Sequence, residues 1–149
     1  MRNSLGDVPG IAADSVYLSA TNSALVGGDF YTLLRLPDDC AVMILGDVSG
    51  KGIEAASMSA LVKTALTAYA WEGAGPARMA RSLNSMLMGF SRVETFVTAF
   101  IAKIDLKAGR ATYCSAGHPP TMVIRPESMP LGGGEARGGR SSCLDANRG

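Results

Sequence analysis

The sequence predicts an α+β domain with helices packed on the faces of its sheets. Three observations carry that expectation. Short apolar runs rich in β-branched residues fill the first third of the chain, two stretches of helical period follow, and strand composition then returns. At 149 residues a single domain is the prior, and 47% hydrophobic content is enough for a core.

The elements follow in order. Residues 1–10 are polar with Gly and Pro and read as a linker or frayed end. In residues 11–20, Val16, Leu18 and Ala20 alternate, which predicts a first strand. Residues 29–36 are a second strand, Pro37-Asp38-Asp39 is a turn signal, and residues 41–48 are a third strand. These three are expected to pair as an antiparallel meander. From Ile53 the period changes: Met58, Leu61, Val62, Ala65, Leu66 and Tyr69 fall on one helix face, predicting a helix over 53–71. Gly73-Ala74-Gly75 stops it, and Pro76 suits the first turn of a second helix over 76–91, whose apolar face is Met79, Ala80, Leu83, Met86, Leu87 and Phe90. Residues 95–105 and 110–116 read as a hairpin across Lys107-Ala108-Gly109. Gly117-His118-Pro119-Pro120 breaks the second strand, and 121–125 resumes extended composition. Periodicity ends at Pro126. Residues 132–149 form a Gly/Arg-rich tail expected to be disordered.

Composition excludes several function classes. Fourteen basic against thirteen acidic residues leave a net charge of +1, so no nucleic-acid partner is implied. No apolar run is long enough to span a membrane, and the N-terminus lacks a signal-peptide pattern. Cys40, Cys114 and Cys143 have neither zinc spacing nor an evident disulfide framework, so a reducing cytoplasm is the simpler expectation.

The chemistry concentrates in Gly46-Asp47-Val48-Ser49-Gly50-Lys51-Gly52. The apolar run 41–45 ends there on a carboxylate, and a glycine-rich turn leads into the first helix. A carboxylate at a strand end can ligate a cation while the Val48 backbone carbonyl supplies a second oxygen, a donor set suited to Mg²⁺ or Mn²⁺. The alternative is an Asp that caps the turn before the helix. Asp29, after Gly27-Gly28, is the second acid; its alternative is an edge-strand carboxylate beside a bend. Amides of the Ser49–Gly52 loop are candidates to face a phosphate at the helix N-terminus, with Gly50 and Lys51 as substrate-binding residues; a solvated Lys51 is the competing reading. The spacing is not that of a Walker A loop, and Ser49 lacks a G-x-S-x-G elbow. His118, the only histidine, reads as a structural turn residue before two prolines, or else it orients a loop near the site.

Four motifs together carry a family resemblance over residues 12–125. Gly27-Gly28-Asp29-Phe30-Tyr31, the 46–52 motif, Phe96-Val97-Thr98-Ala99-Phe100 and Ser115-Ala116-Gly117-His118-Pro119-Pro120 occur in order. They resemble the sporulation stage II protein E (SpoIIE)-type branch of the metal-dependent PPM protein phosphatases, relatives of the type 2C serine/threonine phosphatases. The resemblance implies a PPM-like antiparallel β-sandwich flanked by helices, spanning residues 11–131 here. It implies Mn or Mg, two ions in a complete domain, held by Asp29, Asp47 and the Val48 carbonyl, with Asp29 and Asp47 acting through metal-held water. It implies hydrolysis of a phosphorylated anti-sigma-factor antagonist, and it leaves room for an upstream sensor domain and a dimer. Two departures accompany it. Thr32 stands where the family often has an acid. The family's later Thr-Asp-Gly and Asp-rich motifs are missing, since the chain has no Asp-Gly dipeptide and only Asp145 after Asp105. The domain is therefore expected to be incomplete at its C-terminal end, with a truncated gene or a frame-shifted tail as the cause, and its activity weak or lost. A non-catalytic remnant that serves as a binding module is the alternative function.

Overall fold

The computed structural model describes residues 4–16, 28–89 and 96–124. The elements run β1 (Ser4–Leu5), β2 (Phe30–Leu36), β3 (Cys40–Val48), α1 (Gly52–Trp71), α2 (Pro76–Gly89), β4 (Val97–Asp105) and β5 (Arg110–Ala116). The strands form one sheet in the order β1-β2-β3-β4-β5. β2 to β5 are antiparallel neighbours and β1 joins β2 in parallel. The expected α+β class is therefore present, as one sheet layer and one helical layer among the described residues.

Each hairpin has a local cause. Between β2 and β3 the three-residue connection 37–39 turns on Asp38 and Asp39, which both take left-handed φ values, 60° and 52°, and Cys40 N donates to Pro37 O at 3.4 Å. Between β4 and β5, Asp105 Oδ1 accepts the amides of Lys107 and Ala108 at 3.0 and 2.8 Å, and Gly109 supplies φ 59°. The two turns are clamped together where Lys107 and Arg35 both pair with Asp39, holding its carboxyl below the usual carboxylate range.

Both helices pack on one face of the sheet. Val42, Ile44 and Val48 of β3 and Ala99 and Ile101 of β4 meet Val62, Leu66, Met79 and Leu83 in one core. α1 ends at a left-handed Gly73 whose neighbour Ala74 donates its amide to Tyr69 O at 3.1 Å, a Schellman closure. The predicted buried face of α1 is rotated. The buried positions are Ala55, Ser59, Val62, Lys63, Leu66 and Ala70, while Leu61 is exposed. This helix is apolar nearly all round, so period alone underdetermines its orientation, and small residues at 55, 59 and 70 let it approach the sheet closely.

The opposite face carries a smaller core of Val8, Leu33 and Ala41, packed against Leu5, Ile11, Met43, Ile104 and Leu106. Two expectations change here. Within the stretch read as linker, Ser4–Leu5 joins the sheet, Gly6 N donates to Leu33 O at 2.9 Å, and Val8 is 1% exposed. Conversely, the described residues of the predicted first strand, 11–16, contain only the Val8–Ile11 bridge, and Val16 is 86% exposed. Residues 121–124 likewise form no strand. Cys40 is a free thiol, whereas Cys114, for which spacing offered no partner, is disulfide-bonded. The expected disordered tail, Phe90 and the end of the second helix lie outside the described residues.

Candidate metal and phosphate site

The β2/β3 register brings the two predicted acids together. Phe30–Gly46 is the last pair of the β2/β3 ladder; Asp29, just before β2, and Asp47 come next beyond it, and Val48 N donates to Gly28 O at 3.1 Å. Strand alternation sends the Asp47 carboxylate to the face away from the helices, and Asp29 is close enough for its charge to act on it. Partial burial, then the charge of Asp29, push the Asp47 carboxyl above its ordinary value; the Val48 amide and the charge of His118 oppose that shift.

Glycine makes this approach feasible. A Cβ on Gly28 would collide with the Val48 carbonyl and lie 2.8 Å from Asp47 Oδ1. The Val48 carbonyl is thus packed against Gly28, the residue immediately before Asp29, where a side chain would not fit. Behind the site, Ser59 Oγ on α1 lies 2.6 Å from Gly28 O, tying the first helix to this bend. The loop after Asp47 is pinned twice: Ser49 N donates to Phe96 O at 2.8 Å, and Phe96 N donates to Ser49 Oγ at 2.8 Å. The Ser49 amide therefore does not face a phosphate as expected. Gly50 takes φ 118°, and Lys51, exposed at the N-cap of α1, makes no side-chain cap.

Two further groups flank the acids. Thr98 pairs with Asp47 in the β3/β4 register, and its Oγ1 is 3.0 Å from His118 Nδ1. Thr32, by contrast, is buried on the helix-facing side with Phe30 and Leu36. The acid that the family often has at this position would therefore stand on the opposite face of the sheet from Asp47.

The donor set suits a hard divalent cation in kind: two like charges and a carbonyl, all oxygen. In number it is small. No group of three or more His, Cys, Asp or Glu side chains able to hold a metal occurs among the described residues. No described helix is long and apolar enough to cross a membrane.

Over most of its length the chain is similar to known proteins. The chain is 28% identical over 113 residues to phosphoserine phosphatase RsbU of Bacillus subtilis, covering 76% of this chain and 33% of that protein. It is 25% identical to phosphoserine phosphatase RsbP of the same organism, covering 82% and 33%, and 27% identical to protein IcfG of Synechocystis, covering 70% and 21%. The chain thus spans a third or less of the curated relatives it matches. Among solved structures, the RsbU and RsbW domains of Rv1364c from Mycobacterium tuberculosis superpose with TM-score 0.60 at 30% identity, over 68% of this chain and 28% of that one. The PP2C domain of SiaA from Pseudomonas aeruginosa shares the fold, with TM-score 0.52 at 24% identity over 60% and 37%. The model of the stage II sporulation protein E (SpoIIE) family matches residues 37–136, from the turn before β3 through β3, α1, α2, β4 and β5, and the chain belongs to that family of PPM-type phosphatases.

Proposed function

We propose that this chain is a metal-dependent serine/threonine protein phosphatase domain acting on a phosphorylated anti-sigma-factor antagonist in bacterial signalling. The observation that carries the reading is the closeness of Asp29 to Asp47, with the Val48 carbonyl seated over Gly28. Two relatives named phosphoserine phosphatases support the substrate class.

Asp29, Asp47 and the Val48 carbonyl would hold Mn²⁺ or Mg²⁺. When bound, such an ion activates water and neutralises phosphoryl oxygens, the two needs of phosphomonoester hydrolysis. The residues of the chain do the rest. Asp29 and Asp47, fixed on adjacent strands, set where positive charge is concentrated. The Ser49–Phe96 pair holds the following loop rigid, so that Gly50 and Lys51 present a cation and an open backbone to the substrate phosphate. No side chain is needed as a covalent nucleophile.

The test is a Mn²⁺ titration with a phosphoserine protein substrate, on this chain and on Asp47→Ala. Metal-dependent release of phosphate from the first and none from the second is the expected result. Hydrolysis that survives Asp47→Ala would overturn the assignment. The small donor set favours one second reading, a phosphatase-like module that binds the phosphoprotein without turning it over. Retention of the phosphoprotein on immobilised chain, with no phosphate release at any Mn²⁺ concentration, would establish that reading instead.

A further inference from the structure

The Thr98 hydroxyl and the His118 imidazole stand beside Asp47, and neither has a part in the function just described. Thr98 is the β4 partner of Asp47 in the ladder, so their side chains leave the sheet on the same face as direct cross-strand neighbours. His118 reaches Thr98 from the far side, Nδ1 to Oγ1, at 3.0 Å. The turn that delivers it is well defined. Gly117 bridges to Ala99 and takes φ 67°, and Ser115 Oγ donates to the His118 carbonyl at 3.3 Å. Pro119 and Pro120 then stiffen the exit from the turn.

A hydroxyl has one proton, and the tautomer of His118 decides where it goes. With a proton on Nδ1, the imidazole donates to Thr98 Oγ1 and leaves the Thr98 O–H free toward Asp47. With Nδ1 bare, the Thr98 O–H is consumed by the ring. Only the first arrangement serves a carboxylate that Asp29 repels from the other side and that must hold one orientation. Groups that hydrogen-bond to a metal's ligands, carboxylates included, commonly fix the orientation of those ligands.

We propose that His118 is a positioning residue for Asp47, acting through Thr98 as a relay: His118 Nδ1–H donates to Thr98 Oγ1, and Thr98 O–H orients the Asp47 carboxylate that receives the divalent cation. This rests on the cation-site part of the proposed function. It converts a turn histidine, twenty residues from Thr98 in sequence, into a neighbour of the acids: Asp47 and Thr98 pair across β3 and β4, and His118 reaches Thr98.

The experiment measures Mn²⁺ binding to the 149-residue chain by the electron paramagnetic resonance signal of free Mn²⁺, with phosphoserine hydrolysis followed separately. His118→Ala and Thr98→Val are each expected to weaken Mn²⁺ binding about tenfold. The double variant should be no weaker than either single one, because both break one relay. His118→Asn, whose amide nitrogen can replace Nδ1–H, and Thr98→Ser, which keeps the hydroxyl, should hold affinity within about threefold of the parent, about 0.6 kcal/mol by the tenfold-per-1.4 kcal/mol relation. Unchanged affinity in His118→Ala, additive losses in the double variant, or no recovery in His118→Asn would each overturn the relay, as would a parent chain that binds no Mn²⁺. If His118→Ala fails to fold, the contrast of Thr98→Val with Thr98→Ser, and of His118→Asn with the parent, decides the matter. A parent chain that binds Mn²⁺ through Asp47 and shows this variant pattern, yet hydrolyses nothing, would defeat the phosphatase reading and uphold the relay.

Discussion

Asp29 and Asp47 lie next to one another just beyond Phe30–Gly46, the last pair of the β2/β3 ladder. Two carboxylates so placed repel, and Asp47 titrates above its ordinary value as a result of partial burial and of Asp29. Its folded-state pKa exceeds the unfolded one, so its contribution to stability is complete below the unfolded value and is lost as pH rises through the folded value. Metal-free Asp47→Asn has no such loss. Between pH 4 and 7 in EDTA, its melting temperature should therefore gain on that of the parent chain. Mn²⁺ at neutral pH should reverse the order by stabilising only the parent. Thermal melts across that range check both; parallel pH profiles for the two chains would show that the acids do not interact.

Gly28→Ala tests the close approach behind the acids. The added methyl has nowhere to go, because its neighbours are the Val48 carbonyl and Asp47 Oδ1 at 2.8 Å. Backbone must shift, at a cost of about 1–3 kcal/mol of stability. The shift moves the carbonyl that is proposed to join the cation site, so Mn²⁺ affinity should fall as well. Urea unfolding with and without Mn²⁺ measures both. A variant as stable and as metal-responsive as the parent would mean that the bend relaxes freely.

Ser59→Ala probes the link between α1 and the same bend. Its buried hydroxyl is 2.6 Å from Gly28 O and 2.9 Å from Ala55 O. Removing it leaves Gly28 O with the Val48 amide, so no acceptor is orphaned, and the loss should be near the ordinary net value of about 1 kcal/mol. Chemical denaturation gives the figure. A loss above about 3 kcal/mol would mean that α1 depends on this contact far more than its packing implies.

How much of this could be read from the chain depended on the range of each interaction. Asp47 was legible because an apolar run, an acid and a glycine turn are consecutive. The helices were legible from period, and the β4/β5 hairpin from one Gly turn whose strand bounds, 110–116, match the structure. The site was only half legible. Asp29 and Asp47 stand together because a hairpin turn fixes their register, which spacing hints at. Thr98 and His118 join them through strand order and a left-handed Gly117, neither of which has a local pattern. Ser4–Leu5 escaped notice because two residues carry no period, and their partner β2 lies far along the chain. The alternation around Val16 pointed to a strand that the described residues do not form, since alternation without a paired neighbour is not a sheet.

Lys51→Ala separates substrate contact from a solvated surface charge. Lys51 is exposed and lies next to the left-handed Gly50. If it meets the substrate phosphate, its loss should raise KM for a phosphoserine peptide several-fold, leave Mn²⁺ affinity unchanged, and weaken the dependence of KM on salt. Steady-state kinetics at two ionic strengths are sufficient. A KM within experimental error of the parent at both would assign Lys51 to solvent.

The last prediction concerns the rate. Among the described residues two carboxylates converge, and no third His, Cys, Asp or Glu completes a group able to hold a metal with them. Two negative charges offset a single divalent cation, whereas a pair of cations close enough to share a phosphoryl group brings four positive charges into one space. The Asp29–Asp47 pair is therefore expected to bind one ion, weakly, and to bind a second only at concentrations where the ions' mutual repulsion is overcome. Because this hydrolysis relies on placing water and neutralising charge, a loosely filled site should lose rate more than it loses substrate binding. The expected outcome is a Mn²⁺ dependence in the millimolar range or above, one tight ion at most by equilibrium dialysis, and single-turnover hydrolysis at least about a hundredfold slower than that of RsbU on the same phosphoprotein, by analogy with the effect of losing one charge-stabilising donor. Two ions bound in the micromolar range, with turnover equal to RsbU and abolished by Asp47→Ala, would show that carboxylates beyond Asp29 and Asp47 reach this site.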